Sequence, residues 1–558
     1  MPCTGGRSAR RGPTLSAPPM ASLKSAARAD APGERLNTKA AGVVALAVLC
    51  SRILGLVRLQ VFAALFGAGR LMDVFFIAFR IPNLLRDMVG EGALSTAFVT
   101  TFSKTAAREG DATAWQLANK VVTLTAVVVS ILVLIGILLA PWLVALLGWG
   151  FGPAKAALTV ELTRIMYPFI LIVSLAALVM GMLNARNVFG VPALASTFFN
   201  LGLILTGAGL GWWLDPHFGP KATVALAVGV LVGGLLQLGV QLPSLRRFGY
   251  RYRPDFRWRD PGVKAMLLIM GPSVIAASTV QVNVVVNSAF ASMLGNGPIS
   301  WLGYAFRLMQ FPIGMFGVAL GTVSLPMLSR LAVAGDRERF RSELARGLRM
   351  VFFMTIPAAI GLMVLSGPIV SVLYQHGRFS PYDARQTASA LRFYALGLCG
   401  YAALKVLVNA FYAIDRRRTP MVVSLSAMGL NLLLCWFTTQ VLHWGVRGLA
   451  LSVAVVATAN FLVLYALMRR HLGRLASREM FAMLARLGVA SGVLALICWG
   501  GLHWPLAHWQ SGAFWPKLGA LALVIVAGAG AFFACALALG IAEMRDIAHI
   551  VKRKLRAA

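Results

Sequence analysis

Long apolar runs follow one another from Ala40 to about residue 540, and they leave this chain few architectures. In hydrocarbon, each backbone N–H and C=O must find its partner inside the protein, so runs of this length read as membrane-crossing helices. A hydropathy-window reading gives about fourteen of them. Their approximate cores are 40–66, 71–102, 117–147, 158–184, 191–214, 222–243, 265–294, 299–329, 350–374, 388–413, 421–441, 446–467, 481–502 and 517–540. Of the 558 residues 58% are hydrophobic and only 13% charged, where a soluble domain carries about 25% charged residues. The expected fold class is an all-α polytopic membrane protein.

The formal net charge of +33 comes from 52 Lys and Arg against 19 Asp and Glu. In a soluble protein that excess suggests nucleic acid. Here it gathers in short loops between apolar runs, so no nucleic-acid partner is expected. Loop 244–264 holds Arg246, Arg247, Arg251, Arg253, Arg257, Arg259 and Lys264, and loop 330–349 holds another six arginines. Arg416 to Arg418, the run from Arg469 to Arg478, and Lys552 to Arg556 repeat the pattern. The alternate loops hold few cations, among them Arg70, Lys155, Lys221 and Lys517. By the positive-inside rule both termini lie in the cytoplasm, which requires an even number of spans. Trp142, Trp149, Trp212, Trp213, Trp444, Trp504, Trp509 and Trp515 fall at or near ends away from the basic loops, as interfacial anchors do.

Residues 1–37 lack apolar periodicity and read as a disordered cytoplasmic extension, or as an over-long start ahead of Met20. Five of the six cysteines lie in or beside apolar runs, and none forms a CxxC pair, so neither a disulfide framework nor a metal site is expected. Nucleotide-binding and hydrolytic motifs are missing as well, and the chain is read as a non-enzyme.

Against this background the stretch from Ser51 to Glu91 stands out. Two apolar segments joined by a Gly-containing turn carry Arg52, Arg58, Asp73, Arg80, Arg86, Asp87 and Glu91. Asp73, Arg80 and Asp87 recur every seven residues, two helical turns apart, and Asn83 and Glu91 join the same stripe. Two readings fit: ion pairs that pack helices, or a functional site facing water inside the bundle.

A later run echoes this one. FAALFGAGRLMDVFFIAFRIPNLL from Phe62 aligns, with one gap, to FASMLGNGPISWLGYAFRLMQFP from Phe290. The offset of about 227 residues suits duplicated transporter halves. Six spans lie between the copies, so the halves run in parallel about an axis along the membrane normal, with the binding site between them. The alignment pairs Arg80 with Arg307, another cation in an otherwise uncharged span. Arg52, Arg58 and Arg86 would enlarge a positive central space suited to an anionic solute, because guanidinium forks match phosphate oxygens.

The segments SRILGLVR, FGAG with D-FF-AFRIPNLLR, EGALSTAFV, GYAFRLMQFPIGMFGVALGTVSLP and LYQHGRFSPYD together resemble the MurJ (MviN) family of bacterial lipid II flippases, within the multidrug/oligosaccharidyl-lipid/polysaccharide (MOP) exporter superfamily. The resemblance runs from about Leu36 to the C-terminus. It implies two six-helix lobes, here 38–250 and 251–472, then two groove-forming helices within 473–545 for the lipid tail, and a basic tail at 546–558. It implies transport of undecaprenyl-diphosphate-linked disaccharide-pentapeptide to the outer leaflet of the cytoplasmic (inner) membrane for cell wall biosynthesis. Membrane lipids, and other cell-wall synthesis or division proteins, are the further partners it suggests. By motif it carries substrate-binding or gating roles onto Arg52, Arg58, Asp73, Arg86 and Arg307. The charge stripe adds Arg80, Asn83 and Glu91.

Two departures stand out. Leu59 follows Arg58 where relatives often have Asp. Some relatives bind sodium through acids on helices 7 and 11, where this chain has Gln281, Asn283, Asn287, Asn431 and Cys435 and no carboxylate. Hard cations favour carboxylate oxygen, so no sodium site and no other cofactor is expected. A polysaccharide-unit flippase or a multidrug exporter of the same superfamily is the alternative reading. A cation exporter would call for an acidic cavity, which Arg52, Arg58 and Arg307 oppose.

Overall fold

A computed structural model describes residues 38–87, 94–473, 477–507, 509 and 513–544. Among these residues the chain is helical, with no strand. The first group of helices is α1 (Thr38–Phe66), α2 (Arg70–Leu85), α3 (Ser95–Glu109), α4 (Asp111–Leu147), α5 (Pro153–Met166), α6 (Phe169–Ala185), α7 (Gly190–Leu214) and α8 (Pro220–Gly239). The short α9 (Leu242–Arg247) leads to a second group. It comprises α10 (Pro261–Ser292), α11 (Pro298–Pro312), α12 (Val318–Val333), α13 (Arg337–Val364), α14 (Ser366–Tyr374), α15 (Pro381–Leu396), α16 (Leu398–Ala413), α17 (Arg418–Trp436) and α18 (Gly445–Leu472). Helices α19 (Ser477–His503) and α20 (Phe514–Ala538) close the described chain.

Ten of the described helical segments are long and apolar enough to cross a membrane, or eleven when the bent pair α15 and α16 counts as one span. The chain is a multi-pass membrane protein. Over the described residues this measure does not confirm the expected fourteen spans, and it leaves out three of them. Of the expected span 71–102 the described residues hold α2 and α3, of 16 and 15 residues, and residues 88–93 between them lie outside the described residues. The span 299–329 is split by a π-helical turn, Ile313–Gly317, directly after Pro312. Pro312 lacks the N–H that an unbroken helix needs, and π-turns are a common accommodation. The third, 265–294, lies in α10, whose 32 residues are long enough to cross a membrane.

Local chemistry sets several of the starts. Proline opens α5, α8, α10, α11 and α15, where its missing N–H costs nothing. Asp260 caps α10 by accepting from Gly262 N, and Ser380 with Asp383 forms a reciprocal capping box on α15.

Within the first group α7 packs on α1 and α8, and α2 on α5; within the second α16 packs on α12 and α18, and α11 on α15. Helix α19 packs on α13 and α20. One apolar cluster joins the two groups, with Phe62, Phe66, Met72 and Phe75 from the first and Trp301, Tyr304, Tyr374 and Phe379 from the second. All eight sit toward the face whose loops carry few cations. Elsewhere α1 is bare: Val43, Leu46, Leu49 and Ile53 are exposed, as befits a lipid-facing surface.

Candidate functional site

The arginines of interest sit deep in their helices. Counting 1.5 Å per residue from the sparsely charged face, Arg58, Arg80 and Arg307 lie roughly 12–15 Å in, and Arg52 and Arg86 roughly 21–24 Å. That places Arg58, Arg80 and Arg307 at middle depth of a core about 30 Å thick, and Arg52 and Arg86 nearer its far side. They come from both groups. Arg58 lies within electrostatic reach of Arg307 and Arg86, and Arg80 of Arg307. Arg307 is exposed although its neighbours Ala305, Leu308 and Met309 are buried, so its side chain borders an open space between the groups. Arg52 is also exposed, and its guanidinium reaches across to the π-turn. It occupies the place where a Cβ on Gly314 would stand, with Nη1 2.2 Å from that point.

Among the described residues Arg52, Arg58 and Arg307 make no hydrogen bond or ion pair; Arg58 rests over the Phe199 ring at 5.9 Å. Arg80 donates to Ser288 Oγ at 2.9 Å, a bond between the groups. Arg86 pairs with its neighbour Asp87 at 2.8 Å. Lys405 on α16 lies within reach of Arg52 and adds another cation. The hollow therefore collects like charges that repel one another unless an anion joins them.

Toward the sparsely charged face the space is shut. Asp73 on α2 is fully buried. Its Oδ2 accepts from Lys155 Nζ at 3.0 Å and Gly297 N at 2.7 Å, and its Oδ1 accepts from Ser300 N at 2.9 Å and Ser300 Oγ at 2.7 Å. One carboxylate thus caps the first turn of α11 and ties both groups together. Lys155 also donates to Gly295 O and to Asn296 Oδ1, and sits over the Phe151 ring at 4.2 Å. Ser300 is 227 residues from Asp73, the offset of the internal repeat. Phe76 meets Tyr304 edge to face at 5.5 Å. Near-equivalent positions of the two copies therefore touch, as expected close to an axis relating them.

A second seam runs alongside. Arg378 N donates to Ala64 O at 2.9 Å, and Arg378 Nη1 to Phe218 O at 2.9 Å. Gly67 and Gly377 meet there with φ of +70° and +56°, and a Cβ on Gly377 would stand 2.3 Å from Ala64 O. Glycine is required for both the turn and the approach.

The predicted residues thus separate into two sets. Arg58, Arg80, Arg86 and Arg307 border the hollow within electrostatic reach of one another, while Arg52 reaches the π-turn and Lys405. Asp73 lies apart from it, in the clasp. Asn83 is partly buried near Arg86, with an Oδ1 that has no partner among the described residues. Glu91 lies outside the described residues. Lys155, Ser300 and Lys405 were not singled out from sequence. Lys155 reads there as an ordinary loop cation, and Ser300 as a polar residue opening a helix. Lys405, alone in LCGYAALKVLVNAFYA, was open to the same argument as Arg307.

A family model described as lipid II flippase MurJ matches residues 62–518. A probable lipid II flippase MurJ from Vibrio cholerae is 36% identical over 521 residues, covering 90% of this chain and 96% of that one. The lipid II flippase MurJ of Burkholderia cenocepacia is 36% identical over 429 residues, covering 76% and 82%. The chain belongs to the lipid II flippase MurJ family. A solved MurJ structure described as an inward closed conformation superposes with a TM-score of 0.70 at 26% identity, covering 88% of this chain and 98% of that one. An inward-facing multidrug transporter of the MOP superfamily shares the fold, with a TM-score of 0.62 at 16% identity and coverage of 78% and 99%.

This MurJ family member has a neutral polar cluster between α10 and α17. Cys435 Sγ donates to Asn287 Oδ1 at 3.3 Å and to Asn431 Oδ1 at 3.7 Å. Asn287 Nδ2 donates to Asn283 O at 2.7 Å. A carboxylate-based sodium site does not fit amides and a thiol. Among the described residues no group of three or more His, Cys, Asp or Glu is placed to hold a metal ion.

Proposed function

We propose that this chain moves lipid II, the undecaprenyl-diphosphate-linked disaccharide-pentapeptide, from the inner to the outer leaflet of the bacterial cytoplasmic membrane. It does so by alternating access, without making or breaking a covalent bond, and supplies cell wall synthesis. The observation that carries this reading is the convergence of unpaired guanidinium groups from both repeats on one mid-depth hollow, in a chain of the MurJ family. A diphosphate supplies the missing anion. Arg52, Arg58 and Arg307 have their donors free for its oxygens, and the low dielectric strengthens each contact. The same charges disfavour a cationic cargo.

The basic loops put both termini on the cytoplasmic side, so the clasp at Asp73 becomes the outer gate. In this reading the lobes are 38–250 and 251–472. The headgroup enters from the cytoplasm, neutralises the arginines, and lets the lobes close behind it while the gate parts. The ligand drives that shift only by binding the two states differently, and diphosphate held by arginines of both lobes favours the state that brings them together. The polyprenyl tail stays in lipid. An apolar furrow lined by Val364, Val489, Val493, Leu496 and Trp499, between α13 and α19, has the chemistry to hold it.

Arg307→Ala is the direct test. Arg307 is exposed and unpaired among the described residues, so its loss leaves the fold intact. In cells depleted of their own flippase, the variant should accumulate at normal level yet fail to bring lipid II to the outer leaflet, read by a leaflet-sensitive accessibility assay. Wild-type flipping by this variant would refute the assignment.

A further inference from the structure

Beside the clasp, the sparsely charged face holds a separate hollow of about 670 Å³. Trp301, Tyr382, Gln386, Trp444 and Arg447 line it. The walls are held in place. Trp301 Nε1 donates to Asp383 Oδ1 at 2.8 Å, and Asp383 is fixed in turn by the capping box with Ser380. The Trp301 and Tyr382 rings meet edge to face at 5.6 Å. Trp301 is nearly buried, but Tyr382 and Trp444, which also line the hollow, are 53% and 47% exposed. Arg447 is exposed and makes no hydrogen bond or ion pair among the described residues.

These groups make a coherent recognition set. Aromatic faces stack on the C–H faces of sugar rings, and the Gln386 amide can both donate and accept toward hydroxyl or acetamido groups. A free guanidinium takes a carboxylate bidentately. The hollow also touches the gate. Asn296 lines it and accepts from Lys155 Nζ at 3.1 Å, and Trp301 follows Ser300, the residue bound to Asp73.

We propose that this hollow is an exit-side subsite for the saccharide-peptide headgroup of the transported lipid, with Tyr382 and Trp444 as platforms and Arg447 on a headgroup carboxylate. The assignment rests on the flippase reading. It adds a station that the central arginines do not provide: one that recognises sugar and peptide rather than diphosphate, reached once the gate has opened.

The test uses the full chain in phosphatidylcholine nanodiscs. The probe is water-soluble N-acetylglucosaminyl-N-acetylmuramoyl-pentapeptide, without diphosphate or polyprenyl chain, and binding is followed by calorimetry and saturation-transfer NMR. Saturable binding is expected, weakened about tenfold or more by Arg447→Gln and by Trp444→Ala, each variant keeping the wild-type unfolding temperature. Equal binding by wild type and both variants would overturn the proposal, as would no binding at about 10 mM probe. Displacement of the probe when phosphatidylglycerol is added to the discs would reassign the hollow to a phospholipid headgroup and overturn it too. The probe lacks the diphosphate, so failure here leaves the flippase reading standing; that reading falls if the wild-type chain brings no lipid II to the outer leaflet in the depletion assay.

Discussion

Replacing Asp73 by Asn tests the gate with almost no change of shape. In the closed clasp Asp73 accepts four hydrogen bonds, two at each oxygen. The amide keeps one oxygen, which can still serve Ser300. Its NH₂ then faces Lys155 Nζ and Gly297 N, both donors. Leaving a buried charge without its partner costs about 3–5 kcal/mol. Lys155 retains two neutral acceptors, Gly295 O and Asn296 Oδ1, so the low end applies. About 3 kcal/mol is roughly a hundredfold in the balance between closed and open gate, because Lys155 can hydrate once the gate parts. Spin labels at Trp149→Cys and Arg385→Cys, both exposed on this face and on opposite groups, report the opening. Asp73→Asn should move the distance distribution toward longer separations. Adding Lys155→Met removes the stranded charge and should restore part of the closed population. An unchanged distribution in the single variant, or a double variant more open than the single, would refute the reasoning.

Three further outcomes follow from the same geometry. Gly314→Ala puts a methyl group where the Arg52 guanidinium stands, so the side chain must move; lipid II affinity measured by titration in nanodiscs should fall several-fold with little loss of stability. Arg349 bonds Glu543 at 2.8 Å and Glu479 at 3.1 Å, tying α13 to the start of α19 and to the segment after α20. Arg349→Ala strands the nearly buried Glu543 and should cost about 3 kcal/mol, seen as a lower unfolding temperature in detergent that Glu543→Gln partly restores. In the linker between the groups, burial raises the Asp260 pKa, but the Lys120 ammonium at 2.5 Å and the α10 backbone N–H groups outweigh it and hold the carboxyl below its ordinary value. The stability it contributes is therefore full above the unfolded value of about 3.9 and is lost as pH falls through the lower folded value. Unfolding temperatures recorded from pH 7 down to pH 3 should fall less steeply for Asp260→Asn than for wild type.

The repeat was the most informative feature of the sequence. Aligning the two AFR segments paired Arg80 with Arg307, and the structure sets these two within reach of each other, with Asp73 on Ser300 one repeat offset away. Charge inside an apolar run is visible without coordinates because the cost of burying it is independent of topology. The role of Asp73 was harder to see, since a carboxylate near arginines in sequence looks like their partner. Its actual partners, Lys155 and the turn at 295–300, come from elements that only folding brings together. Lys155 itself gave no signal, because a cation at the start of an apolar helix normally reaches water or headgroups. Hydropathy sums over Pro312, whereas a backbone that must satisfy each N–H turns π-helical directly after it.

The central claim is that guanidinium groups from both repeats receive the diphosphate at mid-membrane depth, and a cryo-electron microscopy structure of the full chain with lipid II bound tests it most directly. Diphosphate oxygens should lie about 2.7–2.9 Å from guanidinium nitrogens of Arg307 and of at least one of Arg52 and Arg58, so that both groups of helices hold the same ligand. A bound headgroup whose diphosphate instead sits among the surface arginines of loop 244–264, with Arg307 facing water, would contradict it.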